Sequence, residues 1–259
     1  MLDLAIVRAL VARTQFAHLR YVSQTTSTNE DAALLLGAAG SAGLVLVTDY
    51  QSAGRGRRTR SWIAPAASAL LFTAILPKPI ASSALWAVPF WTALGVADGI
   101  AGATGLAVRL QWPNDLLLAD GKCCGILATS RVSGEQAWVG CGVGVNVLRP
   151  SGDADLAAIV PAPAFLSDRV PSVTREALLG AILCACDRRL ALLEDPTAVA
   201  RAWEARAELA GTPYRIEQDS GERFDGIAQR IAADGSLIVR TPAGERHVTL
   251  ADARVVREP

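Results

Sequence analysis

The sequence predicts an α+β fold, with strands and helices interspersed over residues 1–209 and a small β-rich domain over 210–259. Three observations carry this. The stretches "GLVLVTDY" (43–50) and "SALLFTAIL" (68–76) are short, β-branched apolar runs bounded by turn residues, which read as buried strands. Three longer stretches, about 84–103, 172–194 and 196–210, have helical apolar patterns. At Gly211 the pattern changes to short alternating strands divided by "DSGE", "ADGS" and "PAGE", the mark of a small β-barrel or meander.

Taken in chain order, the first 20 residues read as one short helix, too little for a DNA-binding domain with its own core. "STNEDAALLLGAAG" (27–40) reads as a helix start, with Ser27 and Glu30 placed for a capping box. "AVRLQW" (107–112) alternates as a strand and runs into the turn signal "PND". "LLLADGKCCGILATS" (116–130) reads as a hairpin with its turn at Asp120–Gly121. "QAWVGCGVGVNV" (136–147) is a strand with glycine at 140, 142 and 144, so one face lacks side chains and a flat ligand can lie close. Residues 149–171, rich in Pro, Ala and Asp, read as a loop or crossover. Pro196 opens the last helix.

Composition excludes several classes. At 51% hydrophobic residues, 259 residues support a real core rather than disorder. A formal net charge of zero argues against a general nucleic-acid binder. The five cysteines are odd in number and form no C-x-x-C pair, which fits reduced, buried thiols and a cytoplasmic chain. No secretory signal pattern is expected at the N-terminus. The apolar stretch from Ile80 to Val108 comes nearest to a membrane span, but Asp98 and several glycines interrupt it.

Against the zero net charge, "QSAGRGRRTRSW" (51–62) places Arg55, Arg57, Arg58 and Arg60 within six positions. Arginine forks suit phosphate and carboxylate oxygens, and Gly54 and Gly56 free backbone N–H groups to approach an anion. The loop lacks the G-x-x-x-x-G-K-S/T pattern of a P-loop. Alone, it reads equally as a solvated basic loop. Only two of the 25 basic residues are lysines. Lys78, in "LPKPI", reads as an exposed turn residue, whereas Lys122 sits on the hairpin seven residues after Asp115.

Five stretches in order, "STN" (27–29), "GRGRRTRSW" (54–62), "QWPND" (111–115), "GKCCGIL" (121–127) and "GVGVN" (142–146), resemble the signatures of the biotin protein ligases. The resemblance spans about residues 20–259. It implies a mixed sheet packed with helices, like class II synthetases, with an SH3-like C-terminal barrel. It implies activation of biotin with MgATP to biotinyl-5′-AMP, then transfer to a lysine of a biotin carboxyl carrier domain. It also implies roles. Ser27, Thr28 and Gln51 fall to the ureido ring of biotin, Gly125, Gly142 and Gly144 to its bicyclic ring and tail, and Asn29 and Gly54 also to the biotin site. Arg55, Arg57, Asp115 and Lys122 are the catalytic set, with Arg55 and Lys122 also touching biotin. Arg57, Arg58, Arg60, Trp62, Asn114, Asp115 and Asn146 fall to the adenylate, and Asp115 to Mg²⁺.

Elementary chemistry supports that set. Joining a carboxylate to an α-phosphate brings two anions together, and fixed cations must offset the repulsion. Asp115 is also placed to take the acceptor lysine's proton. The chain departs from the family pattern at Gln111, where Lys is usual, and at Thr59, where Gly is common. No Trp lies between 139 and 202 to stack on adenine, and Phe165 is the candidate substitute. No nucleic-acid or membrane partner is expected, and a homodimer is open. The rival readings are a lipoate–protein ligase of the same superfamily, a non-catalytic biotin or adenylate sensor, and a nucleic-acid binder.

Overall fold

The computed structural model describes residues 2–57, 60–150, 159, 161–218, 220–250 and 253–257, the last five as backbone only. Its larger sheet contains β1 (His18–Thr25), β2 (Leu44–Gln51), β3 (Ala69–Ile75), β4 (Ile80–Ala81), β5 (Arg109–Gln111), β6 (Asp115–Leu118), β7 (Gly121–Ser133) and β8 (Gln136–Asn146). The strand order is β1-β2-β3-β8-β7-β6-β5, with β4 paired to β8. The β1–β2 pair is parallel and the other pairs are antiparallel, so the sheet is mixed as expected. The parallel pair needs a crossover, and residues 26–43 supply it with α2 (Thr28–Ala33). All seven residues of β3 are buried, because helices cover one face and α2 with the arginine loop covers the other.

Helix α3 (Val88–Thr104) follows a 3-10 turn over Ser82–Ala87 and packs on α4 (Arg175–Arg188). Gly99 permits this approach, since a Cβ there would fall 2.5 Å from Ile182 Cα. The stretch Ser82–Thr104 is long and apolar enough to cross a membrane, but Phe90, Trp91, Leu94 and Ile100 are buried in the protein core. Helix α1 (Leu4–Val11), capped by Asp3 accepting from Ala5 N at 2.8 Å, lies against α4 at Gly180. After α4 the chain makes a 3-10 turn over Leu190–Glu194 and enters α5 (Pro196–Ala207). The helix expected over 172–194 is therefore two pieces.

The C-terminal strands are β9 (Pro213–Gln218), β10 (Arg223–Ile231), β11 (Leu237–Thr241), β12 (Gly244–Val248) and β13 (Ala253–Arg257), in order β12-β11-β10-β9-β13, all antiparallel. Among the described residues β12 and β13 do not pair, so this is an open five-stranded sheet and not a closed barrel. Its Tyr214, Ile216, Leu237 and Val239 join the same core cluster as Trp91, Trp112 and Trp203.

Three local expectations are corrected. Strand β1 was unmarked in the sequence because it is an edge strand with only Leu19 buried, so it lacks an apolar rhythm. The capping box does not form. Ser27 is the N-cap but its side chain makes no cap bond, and Glu30 instead accepts from Thr26 Oγ1 and pairs with Arg55. The β6–β7 turn is Ala119–Asp120, with Ala119 at positive φ. Gly121 begins the strand, where a Cβ would fall 2.8 Å from Ala164 Cβ.

Candidate active site

A cavity of about 890 Å³ opens over the glycine face of β7 and β8, within the range of small-molecule sites. The start of α2, the 54–65 loop, the β5–β6 turn and the 161–165 segment form its walls. The glycines divide the floor. A Cβ at Gly142 would fall 2.6 Å from Asn29 Cγ, and one at Gly144 would fall 2.6 Å from Trp62 Cε2. At Gly125 the nearest atom is again on Trp62, at 2.8 Å. Gly140 lies outside the cavity, beneath Ala32, Thr73 and Thr129.

Beside Gly142, the α2 N-terminus presents Ser27, Thr28 and Asn29. The Thr28 N–H, one of the donors a helix start leaves unpaired, donates to Gln51 Oε1 at 2.8 Å. The Thr28 hydroxyl lies 3.1 Å from the same oxygen. Gln51 thus spends its carbonyl on α2 and keeps its amide NH₂ for a ligand. Thr73 Oγ1 lies 2.8 Å from both Thr28 Oγ1 and Asn29 Oδ1, and Asn29 Nδ2 donates to Leu127 O at 2.9 Å. Thr73 was missed in the sequence, although a lone hydroxyl inside the buried run ALLFTAI was a visible signal.

The arginine stretch folds back on itself. Trp62 N donates to Gly54 O at 2.8 Å, Gly56 N donates to Arg60 O at 2.7 Å, and Arg55 bridges Ser61. Arg55, Arg57 and Arg60 line the cavity, and Arg58 lies outside the described residues. Gly54 lies behind the wall: its small size lets the returning Trp62 backbone pass close by. Trp62 spans the floor from Gly125 to Gly144, with its indole Nε1 buried and without a hydrogen-bond partner among the described residues. That position covers floor expected for biotin's ring and tail, so Trp62 is not confined to the adenylate side.

On the opposite wall Lys122 Nζ lies 2.7 Å from Asp115 Oδ1, and 5.7 Å from the centroid of a Trp62 ring. The lysine backbone is fixed on three counts. Its N–H donates to Ala162 O at 2.8 Å, and its carbonyl accepts from Ala164 N at 2.9 Å and from Asn146 Nδ2 at 3.1 Å. Asn146 thereby ties the end of β8 to Lys122 while also lining the cavity, so a positioning role stands beside the expected place near the adenine. Asn114 Nδ2 donates to Ile126 O at 2.6 Å and holds the turn after the cis Trp112–Pro113 bond. Burial pushes the Cys123 thiol up to about 12, so this neighbour of Lys122 is no nucleophile. Phe165, under Arg149 at 4.7 Å, also lines the cavity.

Among the described residues no three His, Cys, Asp or Glu side chains gather as a metal cage. The wall's carboxylates, Asp115 and Asp120, face five cations: Arg55, Arg57, Arg60, Arg109 and Lys122. The cavity is built for an anion with an apolar, flat part.

Residues 20–146 match the model of the biotin/lipoate A/B protein ligase family. Over 238 residues the chain is 34% identical to the biotin–acetyl-CoA-carboxylase ligase of Paracoccus denitrificans, covering 89% of this chain and 98% of that one. The chain belongs to the biotin protein ligases. The ligase is also 31% identical to a Mycobacterium tuberculosis protein of the same name, over 95% of this chain and 91% of that one. Its fold is that of the Aquifex aeolicus biotin protein ligase solved with biotin and ATP, with a TM-score of 0.75 at 20% identity over 93% and 99% of the two chains.

Proposed function

We propose that the ligase activates biotin with ATP and transfers the biotinyl group to a lysine of a biotin carboxyl carrier domain, that of acetyl-CoA carboxylase by analogy with the names of its relatives. The observation that carries this reading is the Lys122–Asp115 pair facing the arginine hairpin across a bare glycine floor.

In the first step a biotin carboxylate oxygen attacks the α-phosphorus, and the bond to pyrophosphate breaks. Both reactants are anions, so Lys122 and Arg57 act as fixed positive charges that lower the repulsion and stabilise the equatorial oxygens. Thr28, Asn29 and Gln51 orient the polar head of biotin, and Trp62 with Gly144 encloses its apolar part. Enclosure keeps water from the mixed anhydride. In the second step the acceptor amine attacks the biotinyl carbonyl carbon and AMP departs with the bond electrons. Asp115 would receive the amine's proton.

Mg²⁺ is commonly held by one or two carboxylates together with substrate phosphates, and Asp115 would supply one such oxygen. The metal would offset charge on the phosphates. Five unpaired cysteines fit a cytoplasmic setting.

The deciding experiment is exchange of labelled pyrophosphate into ATP, with biotin and with lipoate. Exchange supported by biotin alone is expected. Exchange with lipoate instead would move the chain to lipoate activation, and biotin binding without exchange would make it a sensor.

A further inference from the structure

Strands β5, β6 and β7 set side chains in two rows across the cavity wall. In one row Gln111 pairs with Asp115 and Asp115 with Gly125. In the next, Arg109 pairs with Leu117 and Leu117 with Lys122. Residues two apart on a strand share a face. Arg109, Gln111, Asp115 and Leu117 accordingly all line the cavity, while Leu110 and Leu116 point into the core.

Gln111 stands where the family pattern has a lysine, so the first row lacks a cation. Arg109 stands one step along the same face, with a longer side chain and two more donors. Among the described residues its buried Nε has no hydrogen-bond partner, and none of the ion pairs they form includes its guanidinium. An N–H of a charged group that is buried without a partner on a cavity wall is costly unless a ligand completes it. Strands sit about 4.8 Å apart, which places the Arg109 and Lys122 backbones about 10 Å apart with Leu117 between them. Two cations flanking Leu117 in this way can reach different phosphates of one polyphosphate lying across it.

From this we infer that Arg109 is the polyphosphate-side cation of the site. It holds the β- and γ-phosphates of the nucleotide, and the pyrophosphate that leaves, in place of a charge at position 111. The inference rests on the activation reaction proposed above and assigns it a residue outside the recognised motifs.

The experiment compares wild type, Arg109→Gln, Arg109→Met and the double variant Arg109→Gln with Gln111→Lys. Each is titrated with inorganic pyrophosphate by calorimetry and assayed for exchange at varied ATP and varied biotin. Loss of one charge-assisted contact should raise the pyrophosphate Kd and the KM for ATP about tenfold or more in Arg109→Gln. The KM for biotin should stay at the wild-type value. The lysine at 111 should restore most of the loss, which no merely structural role for Arg109 explains. Equal rises in both KM values, or no rescue by Gln111→Lys, would overturn the assignment. If Arg109→Gln does not fold, Arg109→Met, which keeps much of the side-chain length without the charge, takes its place: a weaker pyrophosphate Kd supports the assignment, and an unchanged one overturns it. Absence of biotin-dependent exchange in the wild type would refute the activation reaction, while the pyrophosphate titration still decides on Arg109.

Discussion

Lys122 Nζ and Asp115 Oδ1 lie 2.7 Å apart across the β6–β7 hairpin, on the cavity wall, and both side chains are largely shielded from water. The pair holds a positive charge at one place over the floor. A register shift between Leu116 and Leu117 brings Lys122 opposite Leu117. Replacing Lys122 by Ala should lower the rate of biotin-dependent exchange by about 10²–10³, the usual cost of removing a fixed charge from a transition state. Asp115→Asn should keep adenylate formation better than transfer. Measuring the two half-reactions separately checks this, and equal losses in both would remove Asp115 from the proton-transfer role.

Gly144→Ala would put a methyl 2.6 Å from Trp62 Cε2. Trp62 must then shift off the floor, and biotin affinity should fall while the melting temperature barely changes. Gly140→Ala should do the reverse. Its methyl would sit 3.1 Å from both Thr73 Cγ2 and Thr129 Cγ2, in packed structure outside the cavity. Calorimetric biotin titrations and thermal melts on the two variants separate these outcomes.

Much of the site was legible because chemistry-bearing residues sit in short motifs at strand ends. Arg55, Arg57 and Arg60, Lys122, Asp115 and the glycines at 125, 142 and 144 all meet at one cavity. Gly54, behind the wall, was misplaced because a glycine beside an arginine run looks the same whether it faces a ligand or a neighbouring strand. Asn146 lines the cavity as expected, but its Nδ2 also donates to the Lys122 carbonyl, a bond between strands that no local pattern announces. Strand β1 was lost because an edge strand with one buried side chain carries no period-two signal. The open C-terminal sheet could not be told from a barrel, since closure depends on pairing between β12 and β13, far from either strand's local pattern.

Thr73 is the test of what the motifs omit. Thr73→Val keeps the shape and removes the hydroxyl that lies 2.8 Å from Thr28 and Asn29. Leaving those buried partners short of one hydrogen bond should cost about 1–3 kcal/mol. The loss should appear as weaker biotin binding, with ATP affinity unchanged. Thr73→Ser should restore most of it. An unaltered biotin Kd in Thr73→Val would show that Gln51 and the Leu127 carbonyl orient the α2 start without Thr73.

Arg57→Gly removes a cation and a large side chain from the hairpin that closes over the cavity. The adenylate should then escape before transfer, because both its charge partner and its cover are weakened. Incubation with ATP, biotin and an unrelated lysine-rich protein should give more bystander biotinylation than wild type. No increase would mean that Arg57 does not retain the intermediate.

Asp49 joins the cavity's outer support to the helical layer. Its carboxylate accepts from Tyr21 OH at 2.7 Å and from Arg175 Nη1 at 2.6 Å, and its carbonyl accepts from Ala67 N at 2.9 Å, in the loop beyond Trp62. Burial opposes ionisation of Asp49. The hydrogen bonds from Tyr21 and Arg175 and the charge of Arg175 outweigh it and hold the carboxyl below its ordinary value. A group with a lowered folded value favours the fold above its unfolded value, and that contribution is lost as pH falls through the folded one. Asp49 therefore stabilises the ligase fully near neutrality and progressively less below about pH 4. Asp49→Asn leaves Arg175 buried without its anion, which should cost about 3–5 kcal/mol at pH 7. Urea midpoints for wild type and Asp49→Asn should differ most at pH 7 and converge as pH drops toward 3. A difference that stays constant over that range would mean that the Asp49–Arg175 pair contributes packing and no net charge interaction.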